Sequence, residues 1–170
     1  MRTVELALAS PVDPDFAFRR ITEFERYPEF VDEVRSVIVQ SDDGQTLASE
    51  WDILFRNGPL RWAEIDYIQA ATRSIIFEQT GGDFDMFRGS WHVESAAGGC
   101  MVRFETTFDF GIPSLAGVLE PIASKVLKEA IGTIVTRLLG EASIIGEPAT
   151  SAAVRARIER GCVATEAQPV

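Results

Sequence analysis

The hydrophobic pattern changes its period at Gly111, and this change constrains the fold more than any other feature of the chain. Before Gly111, apolar residues recur at every second position, which is typical of strands with one buried face. After it, apolar residues recur at i, i+4 in two neighbouring rows. These rows hold Val118, Ile122, Val126, Ala130, Ile134 and Leu138, and Leu119, Ala123, Leu127, Ile131, Val135 and Leu139. Two apolar rows beside two polar rows predict one long helix whose wide stripe needs a sheet to cover it.

The part before Gly111 divides into a strand, two short helices and six further strands. A strand over about 3–8 is followed by a helix over 16–24, capped by Asp13 or Asp15, and by a second short helix that starts at Tyr27-Pro28. The further strands cover about 34–40, 46–55, 60–69, 74–80, 86–95 and 101–110. Strands with such short links form an antiparallel meander. We therefore predict an α+β helix-grip fold, in which a curved antiparallel sheet of about seven strands surrounds a long C-terminal helix.

The chain divides into a helix-grip domain over 1–144 and a C-terminal segment over 145–170. From Ala142 onward the sequence is rich in small and polar residues. This composition predicts a flexible tail, with at most a helical turn near 154–158. Pro121 falls inside the helical pattern and predicts a kink, or a short first helix before the long one.

Charge and composition exclude several classes of function. The net charge is −10, from 16 basic and 26 acidic residues, which argues against a nucleic acid or an anionic membrane surface as the main partner. No apolar run is long enough to insert stably in a membrane, and we read no signal peptide, so a cytoplasmic location is expected. Cys100 and Cys162 are far apart and are expected to be free thiols. One histidine and no cysteine cluster argue against a metal site, and no motif indicates a cofactor.

Several segments resemble one known family. They are 25–30, 82–93, 99–104, 108–110, 113–115 and 119–121. Together they resemble the polyketide cyclase/dehydratase and coenzyme Q-binding branch of the START/Bet v 1-like (SRPBCC) superfamily, over about residues 2–140. The resemblance implies a hydrophobic small-molecule ligand and no cofactor.

The resemblance implies two functions between which the sequence does not choose. One is an aromatase/cyclase or dehydratase of antibiotic biosynthesis, which closes rings in a poly-keto chain that an acyl carrier protein can present. The other is a non-catalytic carrier for a quinone, a lipid or a similar molecule. A weaker third possibility is a regulatory, partner-binding role. The family's cyclases have an arginine where this chain has Asp66 and a tyrosine where it has Val34, so those two roles are not carried over.

The candidate catalytic residues are Glu64 and Asp66 on the strand over 60–69. The resemblance directs the face of Trp62, Glu64 and Asp66 toward the cavity, which would separate the two carboxylates by about 6–7 Å along the strand. In an apolar pocket, the proximity of two like charges would raise the pKa of at least one of the acids, and the pair could serve as general base and general acid. The opposite face is equally apolar, however, so the pattern also permits both acids to lie in solvent.

The candidate substrate-binding residues are mostly aromatic. They are Tyr27, Trp51, Trp62, Phe87, Trp91, Phe104 and Thr106. Rings at these positions could stack on a planar ligand or simply fill the core, and Thr106 could orient a carbonyl or be core. His92 follows Trp91 directly, so strand alternation directs it to the opposite, outer face despite its chemistry.

Overall fold

The computed structural model describes residues 1–56 and 58–166, without the side chains at 41, 42 and 162–166. One eight-stranded antiparallel sheet forms the body of the protein. Its strands are β1 (Arg2–Ser10), β2 (Val34–Asp42), β3 (Thr46–Phe55), β4 (Gly58–Gln69), β5 (Ser74–Gly82), β6 (Met86–Ala96), β7 (Gly99–Asp109) and β8 (Ser143–Ile144). Their order is β2-β3-β4-β5-β6-β7-β1-β8. The predicted meander of six strands is therefore confirmed, and β1 closes on β7 with Leu6 opposite Phe104.

Three α-helices and two short 3₁₀ helices complete the fold. They are α1 (Pro14–Ile21), α2 (Pro113–Leu139) and α3 (Pro148–Glu166), with 3₁₀ helices at Phe24–Glu29 and Ala70–Thr72. The Asp13 side chain caps α1 by accepting from the backbone N–H groups of Asp15 and Phe16. The helix-grip fold is confirmed, including the two short helices between β1 and β2.

The apolar stripe of α2 faces the sheet along most, though not all, of its length. Ile134, Val135 and Leu138 are at most 2 % exposed, whereas Val118, in the first turns, is 58 % exposed. The helix runs without interruption through Pro121, so no separate short helix precedes it. The sequence pattern therefore predicted the helix correctly but extended its buried stripe two turns too far.

The segment after Ala142 differs from the flexible tail that the composition suggested. β8 adds two residues to the free side of β1, and α3 lies against α2. Val154 of α3 is buried, and a Cβ placed on Gly132 of α2 would lie 2.9 Å from both Val154 and Ile144. The close approach that Gly132 permits thus lets a weakly apolar helix pack on α2. Residues 167–170 and the side chain of Cys162 lie outside the described residues, while Cys100 is a buried free thiol.

The described helices do not combine the length and the apolar content that crossing a membrane requires. Lys125, Lys128 and Glu129 interrupt the apolar residues of α2. Lys128 forms an ion pair with Glu147, which directly precedes α3.

Candidate functional site

A cavity lies between the concave face of the sheet and α2. Its volume is about 110 Å³. Half of its twenty-four lining residues are aromatic, and α2 supplies aliphatic side chains from Ala123 to Ile134. The rings fill much of the space that the backbone leaves. The cavity is comparable in size to an apolar cavity of about 150 Å³ that holds benzene.

Most of the residues predicted to bind substrate do line this cavity. They are Tyr27, Trp51, Trp62, Phe87, Trp91 and Phe104. Trp51 and Trp62 stack with an interplanar angle of 3° and a centroid separation of 5.8 Å. The ring centroids of Trp91 and Phe104 lie 4.7 Å apart, further along the same concave face. The expected alternation of the strands therefore holds for the five of these residues that lie on strands, and Tyr27 reaches the cavity from the 3₁₀ helix Phe24–Glu29.

Thr106 is the predicted binding residue that does not line the cavity. Its side chain is fully buried, and its hydroxyl donates to the carbonyl oxygen of Arg88 at 2.9 Å. The close packing of β6 on β7 explains this partner, because Thr106 lies directly opposite Gly89. A Cβ at Gly89 would meet the Glu105 carbonyl oxygen at 2.1 Å, so the two strands leave no free space there. Thr106 therefore serves the packing of the sheet in this structure.

Glu64 and Asp66 face the cavity, so the structure decides the question that the ambiguous strand pattern left open. Glu64 is 4 % exposed and Asp66 is 1 % exposed, and both line the cavity. The carboxylate Oε2 of Glu64 accepts from the indole N–H of Trp62 at 3.0 Å. Tyr67, on the opposite face of β4, is 48 % exposed and marks the solvent side.

A serine that sequence reasoning did not propose as a site residue connects Asp66 to the second tryptophan. Ser49 donates from its hydroxyl to Asp66 Oδ2 at 2.8 Å, and the indole N–H of Trp51 donates to Ser49 Oγ at 2.9 Å. Ser49 lies opposite Glu64 in the pairing of β3 with β4. Its place two residues before Trp51, on the same strand face, was the available signal.

The pKa values of Glu64 and Asp66 depend on each other. Burial raises the pKa of Glu64 well above its usual value, and the charge of Asp66 raises it further, against the Trp62 N–H. Burial also raises the pKa of Asp66, while the Ser49 hydroxyl and the neighbouring Glu64 lower it. Asp66 Oδ1 is buried and has no hydrogen-bond partner among the described residues. The rise in pKa is the stronger for Glu64, so a proton taken up by the pair is expected on Glu64 first.

Tyr27 and His92 take no part in this acid network. The Tyr27 hydroxyl donates to the carbonyl oxygen of Ile21 at 2.6 Å, and burial raises its pKa well above the usual value. Its ring packs edge-on against Trp51 at 5.8 Å. His92 lies on the outer face, as predicted, with Nδ1 3.1 Å from the Ser74 hydroxyl. Tyr27 thus offers a ring to the cavity.

The sequence analysis missed several further lining residues. They include Phe84, Phe108, Phe110 and Glu33. Phe84 stacks on Phe87 at 4.7 Å and on Phe110 at 5.4 Å, and so forms one wall. Phe84 follows β5 in a turn, where a strand-alternation argument gives no orientation. Glu33 directly precedes β2, so strand alternation gives no orientation for its side chain either.

Comparison with known proteins identifies the family. The family model described as polyketide cyclase / dehydrase and lipid transport matches residues 10–133. The chain belongs to this family. The matched range covers the cavity from its first helix to Thr133 of α2, and so includes both buried acids. No curated protein matches the sequence.

Solved structures of the same fold come from distant relatives. TTHA0849 from Thermus thermophilus is 23% identical, with a TM-score of 0.73 over 82% of this chain and 95% of that one. The Zhui aromatase/cyclase from Streptomyces sp. R1128 is 12% identical, with a TM-score of 0.66 over 82% and 92%. A START superfamily protein from Mycobacterium smegmatis is 14% identical, with a TM-score of 0.64 over 82% and 94%. These likenesses show the fold, and the family model confirms the predicted relation to polyketide cyclases and dehydratases.

Proposed function

We propose that this protein is a cofactor-independent cyclase or dehydratase that closes a ring in a poly-keto intermediate. The supporting observation is the pair of buried acids, Glu64 and Asp66, inside an aromatic-lined cavity. Buried groups with strongly perturbed pKa values in a pocket are typical of functional sites. Membership of a family that includes polyketide cyclases and the fold of an aromatase/cyclase relative agree with this choice.

The stronger rise in the pKa of Glu64 supports the following roles in the reaction. Asp66, as the carboxylate, removes a proton from a CH₂ group between two ketones, and the resulting enolate carbon attacks a third carbonyl carbon. Glu64, as the acid, gives its proton to the alkoxide that forms. Loss of water then requires a second proton transfer from carbon and protonation of the leaving hydroxyl, by the same pair. Together these reaction steps form one C–C bond, release one water and need no oxidant or reductant.

The rings would supply most of the rate acceleration by positioning. Holding two reacting carbons in contact can lower a barrier by about 7–11 kcal/mol in favourable cases. The stacked pair Trp51–Trp62 and the wall of Phe84, Phe87 and Phe110 restrict a planar chain to few conformations. The acids then need to contribute about 10²–10⁴-fold, which is usual for proton transfer by a positioned side chain.

The test is a charge-removing double variant, Glu64→Gln with Asp66→Asn. A synthetic poly-β-keto thioester is incubated with wild type or variant, and cyclised products are quantified by mass spectrometry. We expect the variant to fold and to lose at least 10²-fold in cyclisation rate. Glu78→Gln on the exposed side of β5 is the matched control and should retain the wild-type rate. An unchanged product yield from the double variant would remove the two acids from the mechanism.

The alternative is a non-catalytic carrier for a quinone, lipid or other hydrophobic molecule. The almost entirely apolar lining and the family's inclusion of lipid transport favour it. Native mass spectrometry of protein purified from its source distinguishes the two functions. A co-purifying isoprenoid or lipid together with no turnover of a poly-keto substrate would favour the carrier.

Three finer expectations belong to the same proposal. They are presentation of the substrate by an acyl carrier protein, a place in antibiotic biosynthesis and a cytoplasmic location. The first is supported by the half-buried rim of the cavity at Ile53, Phe55 and Leu60, where a tethered chain could reach the interior. Cross-linking of the protein to an acylated carrier protein would test it directly.

A further inference from the structure

The charges that line the cavity are all of one sign. Three carboxylic acids line it, Glu33, Glu64 and Asp66, and no lysine, arginine or histidine does so among the residues that the structure describes. Enolate chemistry places negative charge on a substrate oxygen in its transition state. The lining offers that oxygen few donors, because the N–H groups of Trp51 and Trp62 already donate to Ser49 and Glu64. The acidic lining of the cavity therefore disfavours a negative charge on the ligand.

The outer of the three acids has a counter-ion, but the inner two have none. Arg157 of α3 lies 2.6 Å from Glu33 Oε1 and neutralises it. No cation contributes to the pKa of Glu64 or Asp66; burial, each other, Ser49 and the tryptophans account for it. An unpaired carboxylate in an apolar interior is costly, and a positive partner offsets that cost. Within the described residues, the protein does not supply that partner.

The aromatic rings around the two acids add to this preference. The face of an aromatic ring is electronegative, so a cation is attracted to it. Trp62 stacks on Trp51, and Phe24 and Tyr27 pack against Trp51 at 5.7 and 5.8 Å. Phe24, Tyr27 and Trp62 therefore cluster around Trp51, while the N–H edges of Trp62 and Trp51 point to Glu64 and Ser49. The carboxylate charge and this ring cluster together favour a positive group over a neutral one of the same size.

We propose that the cavity binds an apolar molecule that carries a protonated amine, with Asp66 as its counter-ion. Asp66 Oδ1 is a buried acceptor without a hydrogen-bond partner among the described residues, and an ammonium N–H would supply one. The assignment deepens the proposed function, on which it rests for the identity of the site. A positive nitrogen in the substrate would stabilise the enolate that the acidic lining otherwise opposes.

The size of the cavity limits the part of the molecule that enters. The cavity of about 110 Å³ is smaller than the one of about 150 Å³ that holds benzene, so about one six-membered ring enters it. Benzylamine carries one such ring and is protonated at pH 7. Benzyl alcohol has the same shape and the same number of heavy atoms, but no charge. The two compounds are therefore matched probes of the charge preference.

The experiment compares the affinities of the two probes at pH 7. Binding is followed by the fluorescence of Trp51, Trp62 and Trp91, all of which line the cavity, and by calorimetry. We expect benzylamine to bind at least tenfold more tightly than benzyl alcohol. Equal affinities, a preference for the alcohol, or no binding of either probe to the folded protein would each overturn the proposal.

Two variants test the assigned counter-ion. Glu64→Gln keeps the Asp66 charge and should retain the preference for benzylamine, although it is expected to lose cyclisation. The double variant, Glu64→Gln with Asp66→Asn, has no carboxylate at either position and should bind both probes equally. Retention of the preference by the double variant, or its loss in Glu64→Gln, would refute Asp66 as the counter-ion.

These outcomes are separable from those of the cyclisation assay. If the amine preference is absent while a poly-keto thioester is still cyclised, only the substrate class is wrong. If the preference is present and depends on Asp66 while no poly-keto substrate is turned over, the ligand class stands and the proposed reaction fails. Far-UV circular dichroism and thermal unfolding establish that each variant is folded before binding is measured.

Discussion

The concave face of one continuous sheet has two ends that differ in chemistry but not in burial. The polar end, on β3 and β4, comprises Ser49, Trp51, Trp62, Glu64 and Asp66. The apolar end, on β6 and β7, comprises Phe87, Trp91, Phe104 and Phe108. Asp66 and Phe108 are each 1 % exposed, at opposite ends. The depth of a position therefore does not decide its polarity in this protein.

The two ends make opposite contributions to the free energy of unfolding. Burying apolar side chains contributes about 1.5–3 kcal/mol each. Burying carboxyl groups without a cation costs free energy, even when hydroxyl and indole groups donate to them. The apolar end and α2 therefore stabilise the fold, and the polar end reduces that stability in order to hold two acids where a ligand can reach them.

The largest expected effect comes from truncating the apolar end. Trp91→Ala removes a ring that is 3 % exposed and packs on Phe104. We expect it to reduce the free energy of unfolding by about 3–5 kcal/mol, as is typical of aromatic truncations in a core. Urea denaturation measures this change, and Ile76→Ala on the exposed face of β5 is the control, with a change within about 0.5 kcal/mol. A loss below about 1 kcal/mol would mean that the apolar end does not support the fold as described.

The pH dependence of stability separates the two ends more sharply. Burial raises the pKa values of Glu64 and Asp66 in the folded state. At a pH between the unfolded and the folded pKa values, the folded protein therefore binds more protons than the unfolded chain. Their contribution is therefore fully present below the unfolded pKa values of about 4 and is lost as the pH rises through the folded ones. The free energy of unfolding should fall with rising pH by up to about 1.4 kcal/mol per unit for each proton.

The same neutral double variant, Glu64→Gln with Asp66→Asn, provides the comparison. The difference between wild type and variant should grow from pH 4 upward, in favour of the variant. Urea denaturation at several pH values measures it. A constant difference across pH 4 to 8 would contradict the raised pKa values of the pair.

The smallest expected effects come from removing one hydroxyl at each end. Ser49→Ala removes the donor to Asp66, and Thr106→Val removes the donor to the Arg88 carbonyl. Each should cost about 1 kcal/mol in stability. Only Ser49→Ala should also raise the pKa of Asp66, because that hydroxyl lowers it in the wild type. A pH profile of stability that shifts equally in both variants would show that the two ends are not chemically distinct.

The fold was predictable because its signals are long and periodic. The alternation over β6 and β7 and the i, i+4 rows of α2 each extend over many residues, so single exceptions do not hide them. The family resemblance directed Trp62, Glu64 and Asp66 inward. The strand pattern alone could not, since Ala63 and Ile65 make the other face of β4 equally apolar.

Other features depend on contacts that no local pattern contains. Among the described side chains of α3, at 148–161, Val154 is the buried one, and the position of the helix depends on the absence of a side chain at Gly132. The composition of the segment therefore resembles that of a linker. Thr106 has the alternation of a cavity residue, but the tight contact of β6 with β7 at Gly89 directs its hydroxyl to the backbone. Both outcomes are set by distances between elements.

The dimensions of the cavity are set by rings, not by the path of the backbone. Phe87 projects from β6, and Phe84 and Phe110 lie just outside the paired residues of β5 and β7, so the hydrogen-bonded pairing of the sheet does not depend on the size of these rings. Shortening one of them enlarges the interior while the strand register stays in place. Descendants of this sequence could thus exchange one guest molecule for a bulkier one through single substitutions, and a protein engineer could follow the same route.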